Sequence, residues 1–134
     1  MNLDDQDRLD LVKYRLEEAK DTQSDVELLI TNDRFRAAVN RIYYSMFYSL
    51  LALGLQYEYE SSKHAQLIGW FNKTFIHSGL IDPKYGRIIT KAFNRRTKGD
   101  YDSFVIFDLE TVNEMYDEMK DFNKAIERFL NQRK

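Results

Sequence analysis

Apolar residues recur every three or four positions along most of the chain, and this spacing predicts α-helices almost throughout. In the first segment, about residues 4–31, the apolar positions are Leu9, Val12, Leu16, Ala19, Val26, Leu29 and Ile30. The second segment, residues 34–54, is apolar or aromatic around most of its circumference. A helix of that kind is buried on most sides, so we expect it at the centre of the fold.

Capping and turn residues mark the ends of the second and third helices. Asp33 suits the N-cap of the second helix, and Gly54 suits a residue that ends one. Residues 55–62 are expected to form a connecting loop. The third helix then begins near Lys63 and stops at Ser78-Gly79. Its inward positions are predicted to be Leu67, Ile68, Phe71 and Phe75.

Two further helices complete the predicted fold. Asp82 and Pro83 predict the start of the fourth helix, which we expect to end near Gly99. We interpret residues 100–107 as a loop that packs its Phe and Val side chains on the bundle. Asp108 caps the last helix, whose apolar stripe is Leu109, Val112, Met115, Met119, Phe122, Ile126 and Phe129. Residues 1–134 are therefore predicted to form one all-α domain, an up-and-down bundle of about five helices.

Composition excludes several classes of function. The 134 residues carry a net charge of −2, which argues against a general charge-driven nucleic-acid binder but not against a local basic patch. There is no cysteine, so thiolate chemistry and Cys-based zinc sites are excluded. No apolar run is long enough to span a bilayer, and the acidic N-terminus does not resemble a signal peptide. We expect a cytoplasmic protein without membrane contact.

Known catalytic motifs are also missing from the sequence. There is no glycine-rich phosphate loop and no GxSxG nucleophile motif. His64 and His77 lie outside any HxxxH pattern, so neither a metal nor a cofactor is expected. His64, at the start of the third helix, is interpreted as an exposed or capping residue. His77, near a helix end, is interpreted as a partner of the helix dipole.

The segment "NRRTKGDYD", residues 94–102, places two arginines on different faces of the fourth helix. At about 100° per residue, Arg95 falls on a basic stripe that includes Lys84, Arg87, Lys91 and Lys98. That stripe is expected to be solvated. Arg96 falls instead on the apolar side, one turn after Ala92. A guanidinium there needs hydrogen-bond partners or an opening to a cleft.

Two interpretations of Arg96 remain open from these residues. One is a structural ion pair or a snorkelling side chain at a helix end, with Asp100 as the partner. The other is a phosphate-binding or catalytic arginine, with Tyr101 reaching the same space from just past the helix end. Asn40 and Tyr44, one turn apart on the second helix, form a second polar set. Asn40 either orients an arginine or caps a backbone group.

Three motifs together resemble the HEPN superfamily (higher eukaryotes and prokaryotes nucleotide-binding domains), and the small stand-alone prokaryotic members most closely. They are "AVNRxYYxxF" at 38–47, "KH" at 63–64 and "RxxxDYD" at 96–102. The resemblance implies a helical bundle that forms a homodimer and, in active members, cleaves RNA without metal. It implies that Arg96 takes the place of the family's catalytic arginine.

The sequence departs from the family pattern at the histidine expected four to six residues after that arginine. Tyr101 stands five residues after Arg96, and no histidine lies between 97 and 102. A tyrosine with a pKa of about 10 is a poor general base at neutral pH. Arg96 and Tyr101 are the candidate catalytic residues. Candidate RNA- or nucleotide-binding residues are Asn40, Tyr44, His64, Lys91, Arg95 and Lys98.

The resemblance also implies a partner. Small HEPN proteins often pair with a minimal nucleotidyltransferase as toxin and antitoxin, and in some pairs the partner adenylylates a tyrosine near the arginine motif. Tyr101 is the corresponding target here. Three hypotheses follow: a dimeric ribonuclease-like toxin, a non-catalytic module that binds RNA or nucleotide or is modified by its partner, and a structural helical adaptor.

Overall fold

Five α-helices and one π-helical turn make up the fold in a computed structural model that describes residues 4–132. The elements are α1 (Asp5–Thr31), α2 (Phe35–Gln56), α3 (His64–Phe71), a π-turn (Asn72–Ile76), α4 (Pro83–Tyr101) and α5 (Leu109–Gln132). No strand occurs within residues 4–132. The predicted all-α bundle is confirmed. None of the helices in this part of the chain is long and apolar enough to cross a membrane.

Helix α2 lies at the centre and contacts each of the other four helices. Its residues Ile42, Leu50 and Leu53 are fully buried, because apolar side chains occur all around the helix and not on one face. Burying a side chain of this kind stabilises a protein by about 1.5–3 kcal/mol. The prediction of a central second helix is therefore confirmed, and α2 carries most of the residues that matter below.

A small polar network crosses this apolar core. Asn123 of α5 donates to the Ser45 hydroxyl at 2.9 Å and accepts from Ser49 at 2.8 Å, and Ser45 donates to the Ala19 carbonyl at 2.8 Å. Ser45, Ser49 and Asn123 are all buried. Because buried polar groups without partners are costly, these bonds favour one arrangement of α1, α2 and α5 over slipped alternatives.

Several predicted helix ends are confirmed, but one cap is wrong. The Asp82 carboxylate accepts from the Lys84 backbone N–H at 2.9 Å, and Asp108 accepts from Thr111 at 2.8 Å. Gly79 has a φ of 81°, as a stop after the third helix requires. Asp33 does not cap α2. It has a φ of 56°, and the N-cap residue is Arg34, whose side chain makes no capping bond.

Gly54 was expected to end the second helix but lies inside it, whereas the fourth helix ends close to Gly99, as expected. Helix α2 continues to Gln56 and α4 to Tyr101. A Cβ at Gly54 would lie 2.9 Å from the Tyr59 carbonyl oxygen, and one at Gly99 would lie 3.1 Å from the Phe107 ring. Gly54 therefore permits close packing and does not form a turn, whereas a Cβ at Gly99 would require a small shift of the Phe107 side chain.

The loop between α4 and α5 differs in part from the prediction. Phe107 is half-buried against the core, but Phe104 and Ile106 are about 90% exposed. Two residues of the predicted apolar stripes, Leu9 and Leu109, are also exposed, by a little under half of their surface. The outward residues of the loop leave an apolar surface next to the end of α4.

Candidate functional site

Arg96 lies over a group of aromatic rings between α2 and α4. Its side chain is only 13% exposed. The guanidinium carbon lies 4.9 Å from the centre of the Tyr43 ring, 5.4 Å from Phe93 and 5.5 Å from Tyr44. Cation–π attraction is strongest where water is excluded, so these rings offset part of the cost of burying the charge. The prediction that Arg96 faces the apolar side is confirmed.

A chain of polar side chains begins at Arg96 and crosses to α2. Arg96 Nη1 lies 3.2 Å from the Asp100 carboxylate, as the sequence suggested for this pair. Asp100 also accepts from Asn40 at 3.3 Å, and Asn40 in turn accepts from Arg41 Nε at 3.1 Å and Nη2 at 3.0 Å. Asn40 therefore orients an arginine, but that arginine is Arg41.

This network leaves one donor of Arg96 unsatisfied. Its Nε is buried and has no hydrogen-bond partner among residues 4–132. Leaving a buried polar group unpaired typically costs about 1–3 kcal/mol. Asp100 is a local partner four residues along the same helix, so it neutralises the charge without satisfying the whole guanidinium. The structural ion pair is present, but it does not satisfy all the hydrogen-bond donors of the Arg96 side chain.

His64 lies inside the same group, which contradicts its interpretation as an exposed or capping residue. The N-cap of α3 is Lys63, and the half-buried His64 ring stacks on Phe47 with ring centres 4.0 Å apart. His64 Nδ1 lies 2.8 Å from the Tyr43 hydroxyl. Burial lowers the pKa of His64 below its ordinary value, and the positive charge of Arg96 lowers this pKa further.

The Tyr44 ring is the common neighbour of Arg41, Arg96 and His64. The guanidinium carbon of Arg41 lies 4.8 Å from the Tyr44 ring centre and that of Arg96 lies 5.5 Å from it. The His64 ring meets Tyr44 edge-on at 5.6 Å. Tyr44 itself is half-buried. Side chains from three helices thus lie close to one aromatic ring, and we call Arg41, Tyr44, His64 and Arg96 the Tyr44 cluster.

Tyr101 is the last residue of α4, and no contact between its ring and the rings under Arg96 is found in residues 4–132. It was expected just past the helix end, but α4 includes it. Its side chain is 82% exposed, and no hydrogen bond from its hydroxyl is found within the described part of the chain. Tyr101 is therefore accessible to another molecule and makes no direct contact with the Tyr44 cluster.

Lys91, Arg95 and Lys98 line a different surface. They border a groove of about 660 Å³ between the π-turn and α4, together with Asn72, His77 and Arg87. Lys91 is paired with Glu118 at 3.0 Å. Arg95 is half-buried, and its Nη1 is buried without a hydrogen-bond partner in residues 4–132. The expectation that Arg95 is fully solvated is wrong, since its side chain lines this groove and is partly buried.

Three contributors to this region were not selected from the sequence: Arg41, Tyr43 and Arg36. The available signal for Arg41 and Tyr43 was their position within one turn of Asn40 and Tyr44. Arg36 had no such signal, because its partners are more than sixty residues away. Arg36 donates to the carbonyls of Gly99, Asp102 and Val105 and so fixes the end of α4 and the loop after it.

Comparison with known proteins identifies the family. The HEPN domain model matches residues 12–130, so the chain belongs to the HEPN family. It is 33% identical to a UPF0332 protein of Thermotoga maritima over 120 residues, which are 90% of this chain and 91% of that protein. It is 40% identical over 90 residues to a Methanocaldococcus jannaschii protein named "Putative toxin MJ0605", covering 67% of each. A second M. jannaschii protein, "Putative toxin MJ0142", is 36% identical over 90 residues, 67% of this chain and 61% of that one.

Proposed function

We propose that this HEPN protein acts on RNA and is the toxin-like member of a toxin–antitoxin pair. The observation that carries the proposal is the position of Arg96. Its charged side chain packs on aromatic rings and forms one end of the polar network with Asp100, Asn40 and Arg41. The names of the two M. jannaschii relatives support the toxin-like role. The RNA-directed role rests on the chemistry of the Arg96 region.

Arg96 is suited to binding a phosphate. Its guanidinium is held in place by three rings, which reduces the entropy lost on binding a ligand. In the structure, Asp100 binds the Arg96 guanidinium through a single hydrogen bond. A phosphate offers more acceptor oxygens than that contact uses, and arginine binds phosphate through paired N–H groups. RNA therefore competes with Asp100 for Arg96.

The reaction supported best is metal-independent cleavage of the RNA backbone. The ribose 2′-oxygen attacks the neighbouring phosphorus, the P–O2′ bond forms and the P–O5′ bond breaks. The proton of the 2′-hydroxyl leaves to water, and the departing 5′-oxygen takes up a proton from water or from the Tyr101 phenol, which water then reprotonates. Arg96 stabilises the negative charge that collects on the non-bridging oxygens. Tyr101 orients the RNA or donates a proton, since its phenol is a poor base at neutral pH.

The basic groove on the other face of α4 supplies a path for the rest of the strand. Arg87, Arg95 and Lys98 line it without any acidic residue among the groove residues. Phosphate contacts of this type add affinity without sequence preference and weaken as salt is raised. Lys91 contributes less, because Glu118 already neutralises it.

A homodimer completes this proposal. The loop after α4 presents Phe104 and Ile106 to solvent beside the exposed Tyr101. Clustered apolar side chains on a surface are typical of protein interfaces. A second copy covering this loop brings two Arg96 regions towards one cleft, as the family resemblance implies.

A minimal nucleotidyltransferase is the proposed antitoxin, with Tyr101 as its target. The 82% exposed side chain is accessible to an enzyme. In the transfer, the Tyr101 oxygen bonds to the α-phosphorus of ATP, pyrophosphate leaves and the phenolic proton is released. The product carries a negative charge one residue from Asp100 and five from Arg96, where it competes with RNA.

The test is RNA cleavage by purified protein in EDTA, comparing wild type with Arg96→Ala and Tyr101→Phe. The proposal expects cleavage by the wild type and a loss of about a hundredfold or more in Arg96→Ala. Arg128→Ala, an exposed arginine on α5, is the matched control and should cleave normally. A folded wild type that cleaves no better than Arg96→Ala would refute the nuclease.

A second candidate is a non-catalytic module that binds RNA or nucleotide, or an adaptor in which Arg96 is structural. The Arg96–Asp100 ion pair and the absence of a histidine after Arg96 favour it. Expression in a bacterial host distinguishes the nuclease from the non-catalytic module. Growth arrest that is lost with Arg96→Ala supports the nuclease, whereas RNA binding without arrest or cleavage supports the module.

A further inference from the structure

We propose that His64 and Arg41 complete a phosphate-binding site with Arg96 around Tyr44, in which His64 is a neutral donor through Nε2–H. This inference deepens the proposed function, on which it rests, by naming the residues that hold the scissile or neighbouring phosphodiester. His64 is then not a substitute for the missing catalytic histidine, because it donates a hydrogen bond and does not accept a proton.

The first step concerns the Tyr43 hydroxyl. Tyr43 is 0% exposed, so its hydroxyl proton cannot be given to bulk water. Within the described part of the chain the hydroxyl has two hydrogen-bond partners, His64 Nδ1 at 2.8 Å and the Arg96 guanidinium, and the guanidinium can only donate. A buried hydroxyl that fails to donate loses a hydrogen bond it had in water. Tyr43 therefore donates and His64 Nδ1 accepts.

The second step fixes the tautomer of His64. A neutral imidazole carries its proton on one nitrogen only, so an accepting Nδ1 leaves the proton on Nε2. The two nitrogens point to opposite sides of the ring. Nε2 thus points away from the Tyr43 hydroxyl, and the hydrogen bond found for His64 among residues 4–132 is through Nδ1 alone. The half-buried ring presents this N–H to an incoming group.

The third step concerns the charge. His64 is packed against Tyr43, Tyr44 and Phe47 of α2, and the nearby charge is Arg96 of α4. Burial and Arg96 both lower the pKa of His64. No carboxylate contributes to that shift. The imidazole is therefore neutral at neutral pH and places no third positive charge next to the two arginines.

The fourth step identifies the ligand. Arg41 and Arg96 lie 4.8 and 5.5 Å from the same ring centre and His64 lies 5.6 Å from it. Arg41 uses Nε and Nη2 to hold Asn40, which leaves Nη1 without a partner in the described residues. Two guanidinium groups and one neutral N–H donor close to the same aromatic ring suit a phosphate whose attached base stacks nearby.

The first experiment measures the tautomer by ¹⁵N NMR of the two imidazoles. His77→Gln removes the other histidine and assigns the His64 signals. We expect a protonated Nε2 and an unprotonated, hydrogen-bonded Nδ1 at neutral pH, with a mixture of tautomers in Tyr43→Phe. A dominant Nδ1–H form, or a charged ring at pH 7, would overturn the inference whether or not the protein cleaves RNA.

The second experiment titrates inorganic phosphate and a short 2′-O-methyl RNA, which cannot be cleaved, into the protein. Both should shift the His64 Nε2–H signal, and Arg41→Ala should weaken binding about tenfold or more. Arg128→Ala is the matched control on α5 and should bind as the wild type does. Unchanged binding in both Arg41→Ala and His64→Gln would overturn the site.

These experiments separate the inference from the proposed function. If wild type cleaves RNA but His64 has the Nδ1–H form, the nuclease stands and the role of His64 falls. If the tautomer and the phosphate binding are as expected but RNA is not cleaved, the phosphate site stands and the nuclease falls.

Discussion

Alanine at two glycines should change stability in opposite directions. Gly54 is buried within α2, and a Cβ there would lie 2.9 Å from the Tyr59 carbonyl oxygen. Real Cβ atoms essentially never approach another atom that closely. The oxygen belongs to the backbone, and the Tyr59 N–H donates to the Gly54 carbonyl at 2.8 Å. Relief of the contact therefore requires the chain after α2 to move.

The size of the effect at Gly54 is a balance of two terms. Replacing glycine by alanine within a helix gains about 1 kcal/mol. Overpacking in a fixed core costs about 1–3 kcal/mol or more. Tyr59 is also held by Trp70, with the rings stacked at 4.5 Å, so the chain cannot shift freely. We expect Gly54→Ala to destabilise the protein by about 1–2 kcal/mol.

Gly69 of α3 is the matched control, because it is exposed and a Cβ there would meet nothing within 4 Å. Gly69→Ala should stabilise the protein by up to about 1 kcal/mol through helix propensity alone. Urea denaturation of the two variants and the wild type measures both changes. Equal stabilisation by both substitutions would refute the packing argument.

Three further predictions follow from other contacts. Asn123→Ala should destabilise the protein by about 1–3 kcal/mol, because Ser49 loses its hydrogen-bond partner in the core. The control is Asn113→Ala, on the exposed face of α5. Equal urea midpoints for the two variants would contradict this prediction. Arg36→Ala should speed limited proteolysis within 100–108, and cleavage at the wild-type rate would show that Arg36 does not hold the loop. The free energy of unfolding should fall as pH drops below about 6.5, because His64 in the unfolded chain then binds a proton that the folded state binds less readily. The dependence of stability on pH in this range should be weaker in His64→Gln. An unchanged dependence would contradict this prediction.

The helices and most of their ends could be predicted from the sequence, because these features depend on local chemistry. The stripe from Val112 to Phe129 on α5 follows from spacing alone, and so do the caps at Asp82 and Asp108. The departure of Arg96 from the basic stripe follows in the same way from its angle on the helix. Gly54 was misassigned because glycine both ends helices and permits close packing, and only the residues packed against it decide which role it has.

The sequence by itself determined the all-helical bundle, its central helix and the buried arginine, since each follows from the period of one helix. The tertiary structure decided that His64 reaches Tyr43, that Arg41 joins Arg96 at Tyr44, and that Arg95 and Lys98 lie on a separate groove. These relations join residues from different helices. Helical periodicity gives the direction in which each side chain points from its helix axis. The packing of α2, α3 and α4 determines which side chains of different helices contact one another.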